Sequence, residues 1–386
     1  MSVTFPEGFR ASGVHCGLKE NGKKDFALVV NDGPLYSAGV VTTTNRVYAA
    51  PVQWTRNAHA DGHFRAVVLN SGGANACTGA SGYADAVATA HDVAVGLSCA
   101  SSDIAVCSTG LIGERLDMRA VRSGVAHALE NLSSDGGEDA AQAIMTTDTR
   151  YKVSHHSAGS YSIGGMAKGA GMLAPQLATM LVVLTTDAVL DPSQAQKCLE
   201  KAMEYSFNVI DSDGCMSTND TVILLANGAS GVTPDLDEFT ANLTKVSYDL
   251  ALQLIGDAEG ASHDIFINVH GATSRQAALA VARSVSRSNL FKTAVYGNDP
   301  NWGRILSSIG VVPEEVAPFD PAKVDVAING VKVCVGGGVG EDRNLVDMTP
   351  RWCEVDIYLN AGEYEATIVT NDLTHDYVEE NSAYSS

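Results

Sequence analysis

The sequence lacks the short motifs that announce the commonest enzyme classes. It has no HExxH, no GxSxG elbow and no P-loop, so a zinc peptidase, an α/β-type serine hydrolase and a P-loop phosphate-binding enzyme lose their usual signatures. Its eight cysteines, at 16, 77, 99, 107, 198, 215, 334 and 353, form no CxxC pair and no metal-like spacing. They read as small buried residues with free thiols, none singled out as catalytic, and no metal is expected. Ten histidines are scattered, and the His155-His156 pair sits in a polar stretch, so surface histidines are expected. Positive charge is scarce: 25 Lys and Arg face 45 Asp and Glu, a net charge of −20, with no basic block. Such a surface repels nucleic acid and leaves small metabolites as the natural partners. No apolar run approaches the roughly 20 residues of a membrane helix, and Met180 to Leu184 is only strand-sized. The first ten residues lack the basic and apolar regions of a secretion signal, so a cytoplasmic protein is expected.

The chain has 386 residues, 45% hydrophobic and 18% charged, a globular composition large enough for two lobes or one large α/β domain. Short segments rich in Val, Ile and Leu predict strands at Ala27 to Val30, Arg65 to Leu69, Asp103 to Cys107, Thr179 to Leu184, Thr221 to Ala226 and Ile265 to Val269. Apolar residues three or four apart predict helices over Tyr83 to Leu97, Met118 to Leu132, Leu236 to Ile255 and Arg275 to Val285. Late in the chain, Asn329-Gly330 and Asn360-Ala361-Gly362 predict hairpins over Lys323 to Val335 and Cys353 to Thr370. Ser133 to Glu138 is the nearest thing to a flexible connection, and no internal repeat is visible.

One segment stands out, Lys168-Gly169-Ala170-Gly171-Met172-Leu173-Ala174-Pro175-Gln176-Leu177-Ala178-Thr179-Met180-Leu181. Its glycines imitate a dinucleotide fingerprint, but Pro175 falls where that fold needs its first helical turn. By spacing alone it is a glycine-rich loop feeding a buried strand, with Thr179 an ordinary β-branched strand residue. The segment resembles the self-cleavage signature of the glutamate N-acetyltransferases, also called ornithine acetyltransferases, of arginine biosynthesis. The resemblance runs over nearly the whole chain. It includes Asn75-Ala76-Cys77-Thr78-Gly79, Cys107-Ser108-Thr109-Gly110-Leu111-Ile112-Gly113 and Met145-Thr146-Thr147-Asp148-Thr149. Asp257-Ala258-Glu259-Gly260, Asp299-Pro300-Asn301-Trp302-Gly303-Arg304 and the tail Asn381 to Ser386 follow in order. Gly73 departs from the family, which usually carries Asn there.

The resemblance implies that the chain cuts itself between Ala178 and Thr179 and moves acetyl from N-acetylornithine to glutamate on the Thr179 hydroxyl. The chemistry is coherent. A threonine hydroxyl is a poor nucleophile until a base takes its proton, and the freed α-amino group, titrating at roughly 7.7–8.0, places that base in the same residue. A small Ala178 leaves room for attack on its carbonyl. The resemblance assigns the oxyanion hole to Thr109 and Gly110. Locally, Ser108-Thr109-Gly110 is the turn after a predicted strand, where a backbone N–H and a hydroxyl can face a cleft; alone it would be an ordinary strand-ending turn. Substrate contacts fall by resemblance to Thr146, Thr147, Lys168, Thr179, Glu259, Asn381 and Ser386, with Glu259 as the acidic partner of an ornithine ammonium. Without the resemblance, Lys168 would be a solvated lysine, Glu259 a surface carboxylate and the tail a frayed end.

The expected fold is therefore α/β, a two-lobed, self-processing N-terminal-nucleophile-like arrangement of mixed sheets with flanking helices. Residues 1–178 become an α chain and 179–386 a β chain, assembled by resemblance as α2β2. No cofactor is expected, although acetyl-CoA is open as a co-substrate. Two rivals remain: a self-processing, Thr-dependent aminopeptidase or amidohydrolase that gives the acyl group to water, and an uncut metabolite-binding protein.

Overall fold

The computed structural model describes residues 2–172 and 180–383, which fall into two compact units. The first comprises residues 2–208 and 215–257, and the second 209–214 and 258–383.

The first unit holds nine strands: β1 (Phe9–Val14), β2 (Phe26–Asn31), β3 (Ser37–Thr42), β4 (Ala66–Asn70), β5 (Ile104–Ser108), β6 (Lys152–Ser157), β7 (Ser162–Lys168), β8 (Leu181–Thr186) and β9 (Thr221–Ala226). Its helices are α1 (Ala50–Ala58), α2 (Gly79–Leu97), α3 (Met118–Glu130), α4 (Gly137–Ala143), α5 (Pro192–Glu204) and α6 (Leu236–Ile255). One sheet runs β1-β2-β4-β5, the other β3-β9-β8-β7-β6, and both mix parallel with antiparallel pairs.

Strand composition explains the layering. In β2 every residue is buried, and successive side chains leave by opposite faces. Ala27 and Val29 enter one apolar cluster with Val67, Leu69, Leu181, Val183, Ile223 and Leu225, which joins the two sheets. Phe26, Leu28 and Val30 enter another with Ala86, Ala90 and Val93 of α2 and Val121 and Val125 of α3. The second sheet is covered on its far side by α5 and α6. Asp191 caps α5 with a capping box to Gln194, and Asp235 accepts from the first N–H groups of α6. Strands sealed on both faces must be apolar throughout, which is why β8 and β9 read as unbroken hydrophobic runs.

The second unit is built on a six-stranded sheet from β10 (Asp264–Ala272), β11 (Asp325–Ile328), β12 (Val331–Val335), β13 (Gly338–Val339), β14 (Trp352–Tyr358) and β15 (Tyr364–Asn371). Helices α7 (Arg275–Ser286), α8 (Asn289–Tyr296), α9 (Trp302–Ile309) and α10 (His375–Ala383) belong to the same unit. The β11–β12 hairpin forms where Asn329-Gly330 predicts it, with φ of 44° and 83° at the two turn residues.

The second expected hairpin does not form. The strand order is β13-β12-β11-β14-β10-β15, so β10 lies between β14 and β15, parallel to the first and antiparallel to the second. Asn360-Ala361-Gly362 is still a turn, but Ala361 and Gly362 donate to Gly271 of β10. Ser133 to Glu138 is likewise no loose connection, because Ser133 bridges Ala11 and α4 begins at Gly137.

Candidate active site

Strand ends place the Thr109–Gly110 turn and Lys168. β5 runs into Thr109 and Gly110. The Thr109 N–H donates to Asn70 O at 3.0 Å and its carbonyl accepts from Gly73 at 3.1 Å, so the turn is clamped to the loop after β4. Thr109 therefore brings its hydroxyl, not its backbone N–H, to any site. The Gly110 N–H has no hydrogen-bond partner among the described residues. Gly110 has φ of 130°, and a Cβ there would lie 2.7 Å from the Gly73 backbone nitrogen, so only glycine fits. The departure at Gly73 is mild: a Cβ would meet the end of the Leu116 side chain at 2.9 Å.

Lys168 closes β7 with 1% exposure, and its Nζ donates to Thr109 Oγ1 at 3.3 Å. A hydroxyl whose oxygen faces an ammonium keeps its hydrogen to give, and the charge strengthens it as a donor.

Behind this pair lies a buried ionic network. Asp148 Oδ1 accepts from Gly169 N at 2.7 Å and from Lys152 Nζ at 2.6 Å, while Oδ2 accepts from Thr146 N at 2.9 Å. Lys152 Nζ also donates to Asp257 Oδ2 at 2.5 Å, and Asp257 accepts from Thr149 N at 3.1 Å and from its hydroxyl. Burial pushes the Asp148 carboxyl up, but the Lys168 and Lys152 ammonium groups outweigh it and hold it at about 2. The Lys19 ammonium, lowered by burial to about 8, donates to Met145 O at 2.6 Å. Thr146 is thus held on two sides, while Thr147 is exposed. On the other flank, Asn219 Nδ2 donates to Ser108 O at 2.8 Å and to Ala74 O at 2.6 Å.

In the second unit Glu259, 7% exposed, lines a cavity of about 160 Å³ with Asp213, Arg287, Lys292 and Tyr377. Burial pushes the Lys292 ammonium down; Asp213, Asp211 and Asp372 offset this only in part. Asn381 stands exposed on α10 and donates to Tyr377 O at 3.0 Å. Ala178, Thr179 and Ser386 lie outside the described residues.

The family profile described as the ArgJ family matches residues 10–386. The chain belongs to the ArgJ family. A relative from Bifidobacterium longum, named arginine biosynthesis bifunctional protein ArgJ, is 58% identical over 391 residues, covering 100% of both chains. One of the same name from Thermobifida fusca is 57% identical over 385 residues, again covering 100% of both. Among solved structures, a chain of the ornithine acetyltransferase of Mycobacterium tuberculosis, complexed with ornithine, shares 51% identity. It covers 47% of this chain and 96% of its own, with a TM-score of 0.44.

For this ArgJ-family chain, the structure sets Lys168 against Thr109, the neighbour of Gly110, holds Thr146 on Asp148 within the field of the Lys168 ammonium, and places Glu259 and Asn381 in the second unit. Sequence reasoning quoted Asp148 and Asp257 inside motifs without giving them work, and passed over Lys152, Asn219 and Asp220. Lys152 and Asp257 are 105 residues apart, so no local pattern links them. A usable signal was the polar Asn219-Asp220 pair set directly before an apolar strand.

Among the described residues no His, Cys, Asp and Glu cluster of metal-binding size occurs, and no helix is long and apolar enough to cross a membrane. All eight cysteines are free, but only Cys107, Cys198, Cys334 and Cys353 are buried as expected; Cys16 and Cys99 are half-buried, and Cys77 and Cys215 are exposed.

Proposed function

We propose that the chain cuts itself between Ala178 and Thr179 and then carries acetyl from N2-acetyl-L-ornithine to L-glutamate, in the cytoplasm, as a step of arginine biosynthesis. Membership of the ArgJ family, whose relatives bear that pathway in their names, supports the reading. The observation that carries it is the Thr109–Gly110 turn. A hydroxyl engaged by a buried ammonium belongs to the residue next to an uncommitted N–H, and neighbouring donors of this kind are what a developing oxyanion requires.

In the cut, Thr179 Oγ attacks the Ala178 carbonyl carbon. The C–N bond breaks, an ester forms, and the hydroxyl proton ends on the departing nitrogen. Water then hydrolyses the ester, leaving a carboxylate on Ala178 and a free amine and hydroxyl on Thr179. In turnover the amine takes the hydroxyl proton as Oγ attacks the acetyl carbonyl. Ornithine leaves with that proton on its nitrogen, and the α-amine of glutamate takes the acetyl group from the ester. Thr109 and Gly110 hold the oxyanion in both halves. Lys168, Thr146 and Thr147 serve substrate binding, as do Glu259, Asn381 and Ser386. Acetyl-CoA as a second donor and an α2β2 assembly belong to the same proposal. The strands on either side of the cut, β7 and β8, pair along their length, which would keep the two products together.

Intact-mass analysis before and after brief exposure to N-acetylornithine tests the reading. A chain beginning at Thr179 that gains one acetyl group is expected, and acetyl should move on only when glutamate is added. An uncut chain without adduct would sink the mechanism, and acetate released equally fast without glutamate would make the protein a hydrolase. Replacing Thr109 by Val should lower transfer by about 10²–10³-fold.

A further inference from the structure

Lys19 takes no part in the chemistry above beyond its bond to Met145, yet its surroundings are closely built. It lies in the loop between β1 and β2, which the buried Asp25 carboxylate gathers. Asp25 accepts from the N–H groups of Cys16 at 2.7 Å, Gly17 at 3.2 Å and Lys19 at 2.9 Å. The loop is thereby pressed onto the segment after β4, where a Cβ on Gly72 would lie 2.7 Å from the Leu18 carbonyl oxygen. The Gly110 turn packs on that same segment, against Gly73 N. The Lys19 side chain reaches a second wall of the site: its Nζ donates to Met145 O at 2.6 Å and to Lys24 O at 3.2 Å. Met145 directly precedes Thr146, whose N–H is held by Asp148.

An ammonium has three hydrogens to give and no acceptor. Among the described residues Lys19 gives two of them to neutral carbonyls and forms no ion pair, unlike Lys152 between its two carboxylates. Half-buried, it has lost water without gaining a counter-ion. Burial lowers its pKa to about 8, with Lys168 and Lys23 adding to the fall and Asp25 and Asp148 opposing it. Those two carboxylates are already occupied, Asp25 by backbone N–H groups and Asp148 by Lys152, Gly169 and Thr146. A carboxylate brought by a ligand would engage the third hydrogen in a charge-assisted bond.

We propose that Lys19 receives the α-carboxylate that N-acetylornithine and glutamate share, an inference that rests on the acetyl-transfer reading above. Both molecules carry that carboxylate one carbon from the nitrogen that exchanges the acetyl group. One ammonium beside the Thr146 turn can therefore orient donor and acceptor alike. Lys168 is engaged with the Thr109 hydroxyl, so the two lysines divide the negative charges of the reaction. Lys168 supports the oxyanion that develops, and Lys19 meets the carboxylate that is always present. No bond forms or breaks at Lys19. It holds ground state and transition state equally, so its loss raises KM and leaves kcat.

The test compares N2-acetyl-L-ornithine with its α-carboxamide, which keeps the acetyl group and lacks the α-carboxylate, on wild type, K19M and K19R. Wild type that transfers no acetyl from either would remove the reading above and this inference with it. Otherwise wild type should prefer the acid by about 10–100-fold in kcat/KM. In K19M the preference should collapse through a raised KM for the acid, and K19R, still a cation, should restore it. A K19M that slows on both substrates but keeps the preference would make Lys19 a structural post and overturn the proposal. If neither variant folds, the wild-type preference is followed against pH. Dividing acid by carboxamide cancels the ionisation of the nucleophile, so the ratio should fall as pH rises through about 8 and Lys19 loses its proton. A ratio that stays flat across that range would overturn the proposal.

Discussion

Lys152 in the first unit and Lys292 in the second are both withdrawn from solvent, at 0% and 6% exposure, yet they meet opposite surroundings. Lys152 points into two carboxylates, Asp148 at 2.6 Å and Asp257 at 2.5 Å. Lys292 donates to neutral oxygens, the Ser212 carbonyl and, at 3.5 Å, the Thr370 hydroxyl, while carboxylates act on it from farther away. A buried charge is tolerable when its partners replace the lost water, and removing one member of a tight pair strands the others. Lys152 is therefore a fixed post that holds the Thr146–Asp148 turn and the start of the Gly169 loop. Lys292 is an under-compensated ammonium on the wall of a cavity that also contains Glu259, a place where a ligand's anionic group would find a partner.

Three measurements sharpen or break this contrast. The largest effect belongs to Lys152→Met, which takes from the buried Asp257 and Asp148 carboxylates the ammonium they share. It should cost about 3–5 kcal/mol of stability, read by denaturant unfolding. A loss under about 1 kcal/mol would show the network to be ornamental.

Next comes acid. The folded Asp148 carboxyl titrates at about 2 against an ordinary 3.8, so the unfolded chain binds its proton first as pH falls. The stability Asp148 contributes is complete above about pH 5 and is lost as pH drops toward 2, about 2 kcal/mol in all. Unfolding free energies of wild type and Asp148→Asn across that window should differ in slope, and parallel curves would contradict the assignment.

The smallest effect is expected from Lys292→Met. Its ammonium is poorly compensated where it lies, so an apolar side chain of similar length should change stability by less than about 1 kcal/mol in either direction. A loss as large as that of Lys152→Met would erase the distinction between the two lysines.

Much of the fold was legible because it is written locally. The bounds of β9 and α6 coincide with the Thr221 to Ala226 run and the Leu236 to Ile255 periodicity, since burial on both faces or on one face stamps a pattern on neighbouring residues. The Asn329-Gly330 hairpin is equally local. The Cys353 to Thr370 segment failed for the opposite reason. Its two strands and turn are present, but β10, about ninety residues earlier, competes for both edges and wins them. The site divides the same way: Gly110 and the turn after β5 could be expected from residue types, whereas the Lys168 contact with Thr109 joins residues 59 apart.

By itself the sequence determined the α/β character, the apolar strands, the helix faces and the family, because each is carried by short-range pattern or by ordered motifs. Only the tertiary structure decided which polar side chains share an interior. Asp148 between two lysines, Asn219 on Ser108 and Asp220 on Met180 all depend on strands placed side by side by chain topology. Which way a buried carboxyl's pKa moves depends on those neighbours, and composition alone does not encode them.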